Sequence, residues 1–277
     1  GKGTRVNKDG LIETIGASVD DLARLDWLNS NCPSLLIEPL RTNRQVRSEE
    51  LDNASWSKTN TTVTANQTTA PTGELTADKL SRTSTAANYV AGIVNKSASS
   101  QLDAVSSFFV KQGQGDFISF RAQGSYPNRA DAIFQFSTKT LTTSVAGSNF
   151  SVTSSQVQDY GNGWYRLSIV YNTDTSATIQ SILSPRATSG QVDATDTSTT
   201  AFAYVWGVQF EEGSTLSSYI ETGSAATTRL ADVCSITTPA DVTTITETFA
   251  DNTTNIITTI PTTYTVSNGL IKKIIMN

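Results

Sequence analysis

The sequence predicts an all-β protein, built as an antiparallel sandwich or barrel, and three observations support this. Short apolar or alternating runs recur through the middle of the chain, each bounded by Gly, Asn, Asp or Pro. Such runs are typical of antiparallel sheets. Gly, Ser, Thr and Asn are abundant. Helical periodicity is scarce: residues 17–28 fit one or two amphipathic turns, and residues 76–82 fit a short helix or a strand.

The predicted strands can be placed in order along the chain. Val63 lies in a Thr-rich strand or edge. The turn residues 161–163 stand directly before a strand, as in a hairpin or corner. The six clearest strands are SSFFVKQ (106–112), DFISFRAQ (116–123), DAIFQFST (131–138), WYRLSIVYN (164–172), TIQSILSP (178–185) and AFAYVWGVQF (201–210).

A change of character after about Ser235 predicts a short β-rich C-terminal extension. Residues 235–277 are rich in Thr and β-branched residues and end in the apolar run LIKKIIM (270–276). So short a segment has little apolar area for a core of its own. We therefore expect it to pack on the main domain or on copies of itself, which would also cover the apolar run.

Composition excludes several classes of function. The 277 residues include no His and two Cys, which excludes Ser-His-Asp, Cys-His and zinc-His chemistry. The net charge is −5 and no segment concentrates Lys and Arg, so we expect no nucleic-acid partner. No apolar run approaches the roughly 20 residues that span a bilayer, so we expect no membrane insertion.

The two cysteines leave two alternatives open. Cys32 and Cys234 lie near the two ends of the main segment. If the terminal strands of the sandwich pair with each other, a disulfide between these residues can form. Otherwise they are two buried thiols.

Two adjacent carboxylates, Glu211 and Glu212, stand at the exit of the last clear strand. Adjacent residues on a strand point to opposite faces. The pair therefore cannot converge on one glycosidic bond as a catalytic pair must. Catalysis would need a partner from elsewhere, such as Asp116 or Asp131. We expect no catalytic residues and no enzyme activity. We expect the two acids to accept hydrogen bonds from backbone N–H groups or to face water.

One loop offers the best candidate for a sugar-binding site. Tyr126 lies in the segment AQGSYPNRAD (122–131), beside Asn128 and Arg129. A sugar platform needs an exposed ring with polar groups beside it for the hydroxyls. The predicted glycan-binding residues are Tyr126, Asn128 and Arg129, and the alternative is that Tyr126 is a plain surface tyrosine.

Several phrases occur together in a fixed order. They are SLLIEPLRTNRQVRSEELDNASWSKTNTTVTANQTTAPTGELTADKLSRT (34–83), FFVK (108–111), GNGWYRLS (161–168), YVWGVQFEEGSTLSSYIET (204–222) and TRLADVC (228–234). This ordered set resembles a carbohydrate-binding-like jelly-roll module of bacteriophage structural proteins. Arg44 and Val46 depart from the usual continuation of the first phrase.

The resemblance implies an antiparallel jelly-roll β-sandwich over residues 34–234. Residues 1–33 would then be an N-terminal lead-in or attachment segment, and residues 235–277 the C-terminal extension. Three tryptophans fall within the matching phrases and are expected to anchor the sandwich core: Trp56, Trp164 and Trp206.

The resemblance also bears on metal binding. Many carbohydrate-binding jelly-rolls hold a structural calcium near the first and last strands. Glu50, Asp52 and Asp78 stand where the first-strand ligands would be, and carboxylate oxygens suit Ca²⁺. The alternative is that they are surface acids. No other cofactor is expected.

Proteins of the resembled kind are fibres, spikes or appendages on phage heads or tails. The resemblance implies a non-enzymatic virion protein on the capsid or tail surface, in contact with other virion proteins. It further implies a homotrimer with weak adhesion to host-surface glycans. Two alternatives stay open: a carbohydrate-binding module of a bacterial glycan-degrading enzyme, and a glycoside hydrolase or depolymerase.

Overall fold

The computed structural model describes residues 3–16, 23–28 and 31–277, and every regular element in these ranges is a β-strand. The predicted all-β class is therefore confirmed. The chain divides into two compact units. Residues 42–227 form the sandwich unit, and residues 1–41 together with 228–277 form the terminal unit.

The strands are numbered in chain order. They are β1 (Gly3–Val6), β2 (Ile12–Ile15), β3 (Leu25–Asp26), β4 (Ser34–Ile37), β5 (Arg41–Asn43), β6 (Trp56–Thr59), β7 (Thr61–Thr68), β8 (Ala77–Arg82), β9 (Tyr89–Asn95), β10 (Asp103–Gln114), β11 (Phe117–Gln123), β12 (Arg129–Gln135), β13 (Thr140–Ala146), β14 (Ser151–Asp159), β15 (Trp164–Asn172), β16 (Thr178–Arg186), β17 (Phe202–Glu212), β18 (Thr227–Arg229), β19 (Ser235–Thr237), β20 (Ile245–Phe249), β21 (Thr254–Ile257), β22 (Thr263–Thr265) and β23 (Gly269–Met276).

Two six-stranded antiparallel sheets form the sandwich unit. The first sheet has the strand order β14-β15-β10-β17-β8-β7, and the second sheet has the order β13-β12-β11-β16-β9-β6. Most neighbours in each sheet are distant in sequence, as the pairing of β10 with β17 illustrates. This is the predicted antiparallel sandwich. Each of the six predicted runs overlaps one of its strands, namely β10, β11, β12, β15, β16 and β17.

Alternating side chains fill the space between the two sheets. Phe108 of the first sheet and Phe120 of the second are both buried, with ring centroids 5.3 Å apart. Leu167, Leu183 and Phe134 belong to the same core cluster. Burying one such side chain contributes about 1.5–3 kcal/mol relative to leaving it exposed. The core follows directly from the period of two that predicted the strands.

The three tryptophans are buried as predicted, but only Trp56 belongs to the core between the sheets. Trp206 packs on Phe109 and Tyr219, on the opposite, outer face of the first sheet. A bulge in the β10–β17 pairing accompanies this position, and Gly207 has a φ of +62° there. A Cβ atom on Gly207 would lie 2.9 Å from the Phe109 ring. The expectation that all three anchor the sandwich core is therefore wrong for Trp164 and Trp206.

The terminal unit has a small core of its own. Its five-stranded sheet has the order β21-β20-β23-β4-β3. The apolar run of β23 is paired on both sides, with β20 and with β4, and Ile271 is buried in a cluster with Ile37 and Ile245. The hairpin β1-β2 and the pair β19-β22 complete the unit.

This arrangement changes the predicted domain division. Residues 1–33 and 235–277 were expected as separate segments flanking a domain at 34–234, yet both termini belong to one unit. The reason is that β4, placed by prediction in the domain, pairs with the C-terminal strand β23. The C-terminal run is thus paired within its own chain, with β20 along most of its length and with β4 at the first three residues of β23.

Two further expectations concern helices. Residues 77–82 are strand β8, and Leu25–Asp26 are strand β3, so helix is absent from the described part of both segments. Residues 17–22 of the first segment lie outside the described ranges. Among the described residues, no helix is long and apolar enough to cross a bilayer.

Candidate functional site

The predicted sugar platform lies in a tight loop of the second sheet. Residues 124–128, the Tyr126 loop, connect β11 to β12. The Tyr126 side chain is 76% exposed, the largest exposed aromatic surface among the described residues. The Tyr126–Pro127 peptide is cis. The guanidinium carbon of Arg129 lies 5.8 Å from the centroid of the Tyr126 ring. One ring thus stands open to solvent with a cation beside it.

Arg129 is held in place by three acceptors. Its Nε donates to Asp131 at 3.0 Å, its Nη1 to the Pro127 carbonyl at 3.4 Å and its Nη2 to the Gln191 side chain at 3.4 Å. The Asp131 carboxylate compensates the positive charge of the Arg129 guanidinium. The guanidinium is therefore fixed in orientation, with little uncompensated charge to offer an anion.

A second ion-pair group lies next to Asp131 on the same face. Arg121 donates to Asp131 at 2.6 Å and to Asp193 at 2.8 Å. The hydrogen bond from Arg121 holds the pKa of Asp193 below its usual value. Both carboxylates are thus tied to guanidinium groups.

Four side chains form a row across the second sheet. The register aligns Arg129 with Gln123, Gln123 with Gln180, and Gln180 with Ile93. Their chain neighbours Ala130, Ala122, Ile179 and Val94 are buried in the core. The four residues therefore lie on the outer face, because successive side chains alternate between faces. We call them the cross-strand row.

The row is partly open to solvent. Ile93 is 55% exposed, and Arg129, Gln123 and Gln180 are half-buried. The Gln123 amide donates to the Gln180 amide oxygen at 3.3 Å, which leaves further donors and acceptors for a ligand. With strands about 4.8 Å apart, the row runs roughly 14 Å across the sheet. The Tyr126 loop lies beside its Arg129 end.

The Asn128 side chain has partners within the protein. Its side-chain amide donates to Asp174 at 3.4 Å, and its backbone closes the loop through hydrogen bonds with Ser125 and Gly124. A Cβ atom on Gly147 would overlap the Asn128 side chain. The side chain is thus packed against protein on this side.

Sequence reasoning did not single out Gln123, Gln180 or Ile93. Their alternation with buried residues marks them as outward-facing, but it cannot tell which strands are neighbours. Only the register brings the three residues together with Arg129.

The calcium candidates do not assemble into a ligand set. Asp78 is buried and accepts the backbone N–H groups of Leu51 at 2.8 Å and Asn66 at 3.1 Å. Burial raises the pKa of Asp78 to about 6. Glu50 is exposed and pairs with Arg47 at 3.0 Å. Among the described residues, no group of three or more His, Cys, Asp or Glu side chains could hold a metal ion. The residues therefore do not fit the calcium site that the resemblance implies.

Glu211 and Glu212 point apart, as the strand geometry predicts. Glu211 is fully buried and accepts the Ser217 backbone N–H at 3.2 Å as well as the Ser217 hydroxyl. Glu212 accepts the Ser97 backbone N–H at 2.6 Å and lies 3.2 Å from Arg44. Each acid thus accepts a backbone N–H group, one of the two environments expected for them.

The two cysteines are not bonded to each other in the structure. Cys32 is exposed, and Cys234 is half-buried against the core of the terminal unit. Neither matches the expectation of a fully buried thiol.

No known family model matches the sequence, and no curated protein matches it. Among solved structures, the chain is similar to the enzymatically active domain of tailspike protein 4 of bacteriophage CBA120, with 14% identity, a TM-score of 0.36 and coverage of 62% of this chain and 21% of that one. A putative sugar-binding protein from Bacteroides thetaiotaomicron matches at 9% identity and a TM-score of 0.34, with coverage of 61% of this chain and 95% of that one.

The third similar structure is the N-terminal endo-1,4-β-D-xylanase 10B of Clostridium thermocellum, comprising its CBM22-1 and GH10 modules, complexed with xylohexaose. Identity is 15% and the TM-score is 0.33, with coverage of 67% of this chain and 30% of that one. The chain thus spans less than a third of the tailspike domain and of the xylanase. At these identities and TM-scores the similarities do not assign a function.

Proposed function

We propose that the cross-strand row and Tyr126 bind an extended, uncharged glycan chain. The observation that carries this proposal is the exposed Tyr126 ring beside a row of side chains that donate and accept hydrogen bonds. An exposed aromatic ring supplies an apolar face for the C–H surface of a sugar, and amide groups suit its hydroxyls. The row is long enough for a chain of several sugars rather than for a single ring.

The charge pattern favours a neutral ligand. Asp131 compensates Arg129, and Asp131 and Asp193 together surround Arg121. Recognition of an acidic glycan would gain from an unpaired guanidinium, which this face does not offer among the described residues.

Binding without hydrolysis is the second part of the proposal. A glycosidase needs one carboxyl group whose pKa is raised so that it can act as an acid, and a second one facing it. Asp131 and Asp193 are the carboxylates beside the row, and both are engaged by Arg121. The lowered pKa of Asp193 is opposite to what an acid catalyst needs.

The ordered phrases that resemble phage structural proteins support a place on the virion. We propose that the chain is a displayed module of a fibre or appendage, on the head or the tail, in contact with other virion proteins. A homotrimer presenting three sites would convert weak binding by one site into useful avidity. The mass of the full chain in solution, from light scattering, tests the trimer; a monomer at assay concentration would contradict it.

Calorimetry of the full chain with neutral hexasaccharides tests the binding. The panel is cellohexaose, xylohexaose, maltohexaose and mannohexaose, with a hyaluronan hexasaccharide as the acidic counterpart. We expect binding to at least one neutral member and about tenfold weaker binding by Tyr126→Ala, equivalent to about 1.4 kcal/mol. Tyr126→Phe keeps the ring and should bind nearly as well.

Leu75→Ala is the matched control, because Leu75 is also an exposed apolar residue of the sandwich unit, at 61%. It should leave the affinity unchanged. Failure of the whole panel to bind, or equal affinity for Tyr126→Ala and the unmodified chain, would overturn the proposed function. Appearance of shorter sugars during the titration would instead favour the hydrolase alternative.

A further inference from the structure

A buried carboxylate lies directly behind the Tyr126 loop. Asp174 follows β15 and is 2% exposed. One oxygen, Oδ2, accepts the backbone N–H of Ser125 at 2.7 Å and the Asn128 side-chain amide at 3.4 Å. The other, Oδ1, accepts the Ser176 backbone N–H at 3.1 Å and the Ser176 hydroxyl. The same carboxyl group thus joins the Tyr126 loop to the loop that leads into β16.

The approach of the two loops is close enough to require glycine. A Cβ atom on Gly124 would overlap both carboxyl oxygens of Asp174. The backbone next to Tyr126 therefore rests against this carboxylate, without a side chain between them.

Lys96 fixes the main chain of Asp174 from another side. Its ammonium group donates to the Asp174 carbonyl at 2.6 Å, to the Thr173 hydroxyl at 3.2 Å and to the Ser100 carbonyl at 2.8 Å. Lys96 is only 8% exposed, so solvent screens these bonds little. The backbone of the residue whose carboxylate binds the loop is thus itself fixed by Lys96.

We propose that Asp174 is a positioning residue, which fixes the Tyr126 loop so that the ring stands beside the cross-strand row. This rests on the proposed function, since the row is the glycan surface. Asp174 acts through Tyr126 and does not touch the ligand. A loop fixed before binding loses less conformational freedom when the glycan binds, which raises affinity.

The test combines Asp174→Ala, Tyr126→Ala and the double variant in the full chain. Hydrogen exchange reports the Ser125 amide, and calorimetry reports the affinity for the tightest-binding hexasaccharide of the panel. In Asp174→Ala we expect the Ser125 amide to exchange at least tenfold faster and binding to weaken about fivefold, or about 1 kcal/mol. The double variant should bind no more weakly than Tyr126→Ala alone, since the two residues act on one contact.

Asp174→Asn is the conservative variant. It keeps one acceptor but turns an N–H group toward donors, so its exchange and its affinity should lie between those of the unmodified chain and Asp174→Ala. Asp159→Ala is the matched control, because Asp159 also accepts a loop amide, that of Gly161 at 2.8 Å, but lies at the end of β14 in the first sheet, whereas Tyr126 lies between strands of the second. It should change neither the Ser125 exchange nor the affinity.

Unchanged Ser125 exchange in Asp174→Ala, or losses of affinity that simply add in the double variant, would overturn the proposal. If Asp174→Ala does not fold, Asp174→Asn alone decides by the same two measurements. If the unmodified chain binds no hexasaccharide, the proposed function fails. The exchange rate of the Ser125 amide then still decides whether Asp174 holds the loop.

Discussion

The outer faces of the two sheets in the sandwich unit differ in what covers them. On the first sheet, Phe109, Trp206, Arg166 and Glu211 are all buried although they point away from the core. On the second sheet, the cross-strand row keeps part of its surface in solvent. Large aromatic side chains have to be covered, whereas the polar groups and the single aliphatic residue of the row can stay open. Elsewhere on the second sheet's outer face, Ala91 and Ile182 are buried with Val192.

Contacts show what covers the first sheet. The ring of Tyr219 lies 4.5 Å from that of Trp206. The Ser217 carbonyl accepts Arg166 at 2.8 Å, while the Ser217 N–H and hydroxyl cap Glu211. Ser48, which lies near the start of the sandwich unit, shares a hydrogen bond of 2.7 Å with the Tyr219 hydroxyl. The chain around residues 48 and 217–219 thus covers these side chains of the first sheet, so a binding surface is better sought on the second sheet.

The largest expected effect is a test of the covered face. Trp206→Ala should destabilise the sandwich unit by about 3–5 kcal/mol, because it removes a buried ring that contacts both Phe109 and Tyr219. Ile93→Ala on the open face should change stability by at most about 0.5 kcal/mol. Urea unfolding of both variants measures this, and similar losses would show that the two faces do not differ energetically.

A carboxyl group at the edge of the covered face should make stability depend on pH. Glu49 accepts the Tyr219 hydroxyl at 2.9 Å. Burial raises its pKa from 4.5 to about 7, despite that hydrogen bond. The folded state therefore holds the Glu49 proton more tightly than the unfolded state does. The contribution of this protonated group to the free energy of unfolding is complete below about pH 4.5 and is lost as the pH rises through 7. We expect stability to fall by about 2 kcal/mol between pH 5 and pH 8, allowing for partial solvent screening.

Glu49→Gln isolates that contribution, because its amide stays neutral at every pH. The variant should show a smaller fall in unfolding free energy between pH 5 and pH 8 than the unmodified chain. The fall that remains is expected to come in part from Asp78, whose pKa is also raised, to about 6. Identical pH profiles for the two proteins would contradict the role of Glu49.

The smallest effect belongs to the open face. Gln180→Ala should weaken binding of the best neutral hexasaccharide about fivefold, since one hydrogen bond contributes about 1 kcal/mol. Stability should hardly change. Thr142→Ala is the control, on the same outer face but on β13, away from the row. Equal affinity for the Gln180 variant and its control would restrict the site to the Tyr126 loop.

Much of the sandwich could be predicted because its signals are local. Alternation in runs such as 116–123 and 164–172 predicts both the strand and its buried side, and turn residues mark the ends. The exposed Tyr126 could be predicted because Gly124, Pro127 and Asn128 around it are typical of a loop. The opposite directions of Glu211 and Glu212 follow from strand geometry alone.

Other features depend on contacts between distant residues. Trp206 lies in an apolar strand, which predicts that it is buried. Only the tertiary structure shows that Tyr219, which shares a hydrogen bond with Ser48, packs on it on the outer face. The pairing of β4 with β23 joins residues more than two hundred positions apart, and no local sequence pattern predicts this pairing.

Sequence patterns were enough to predict the all-β class, the six clearest strands of the sandwich with their core-facing residues, and a tyrosine in a polar loop. These follow from the alternation of side chains along a strand and from turn chemistry, both of which act over a few residues. The tertiary structure decided which strands are neighbours. It thereby brought Arg129, Gln123, Gln180 and Ile93 into one row, placed Asp174 behind Tyr126, and joined the two termini in one unit. Register and strand order depend on contacts between distant parts of the chain, which a period of two does not encode.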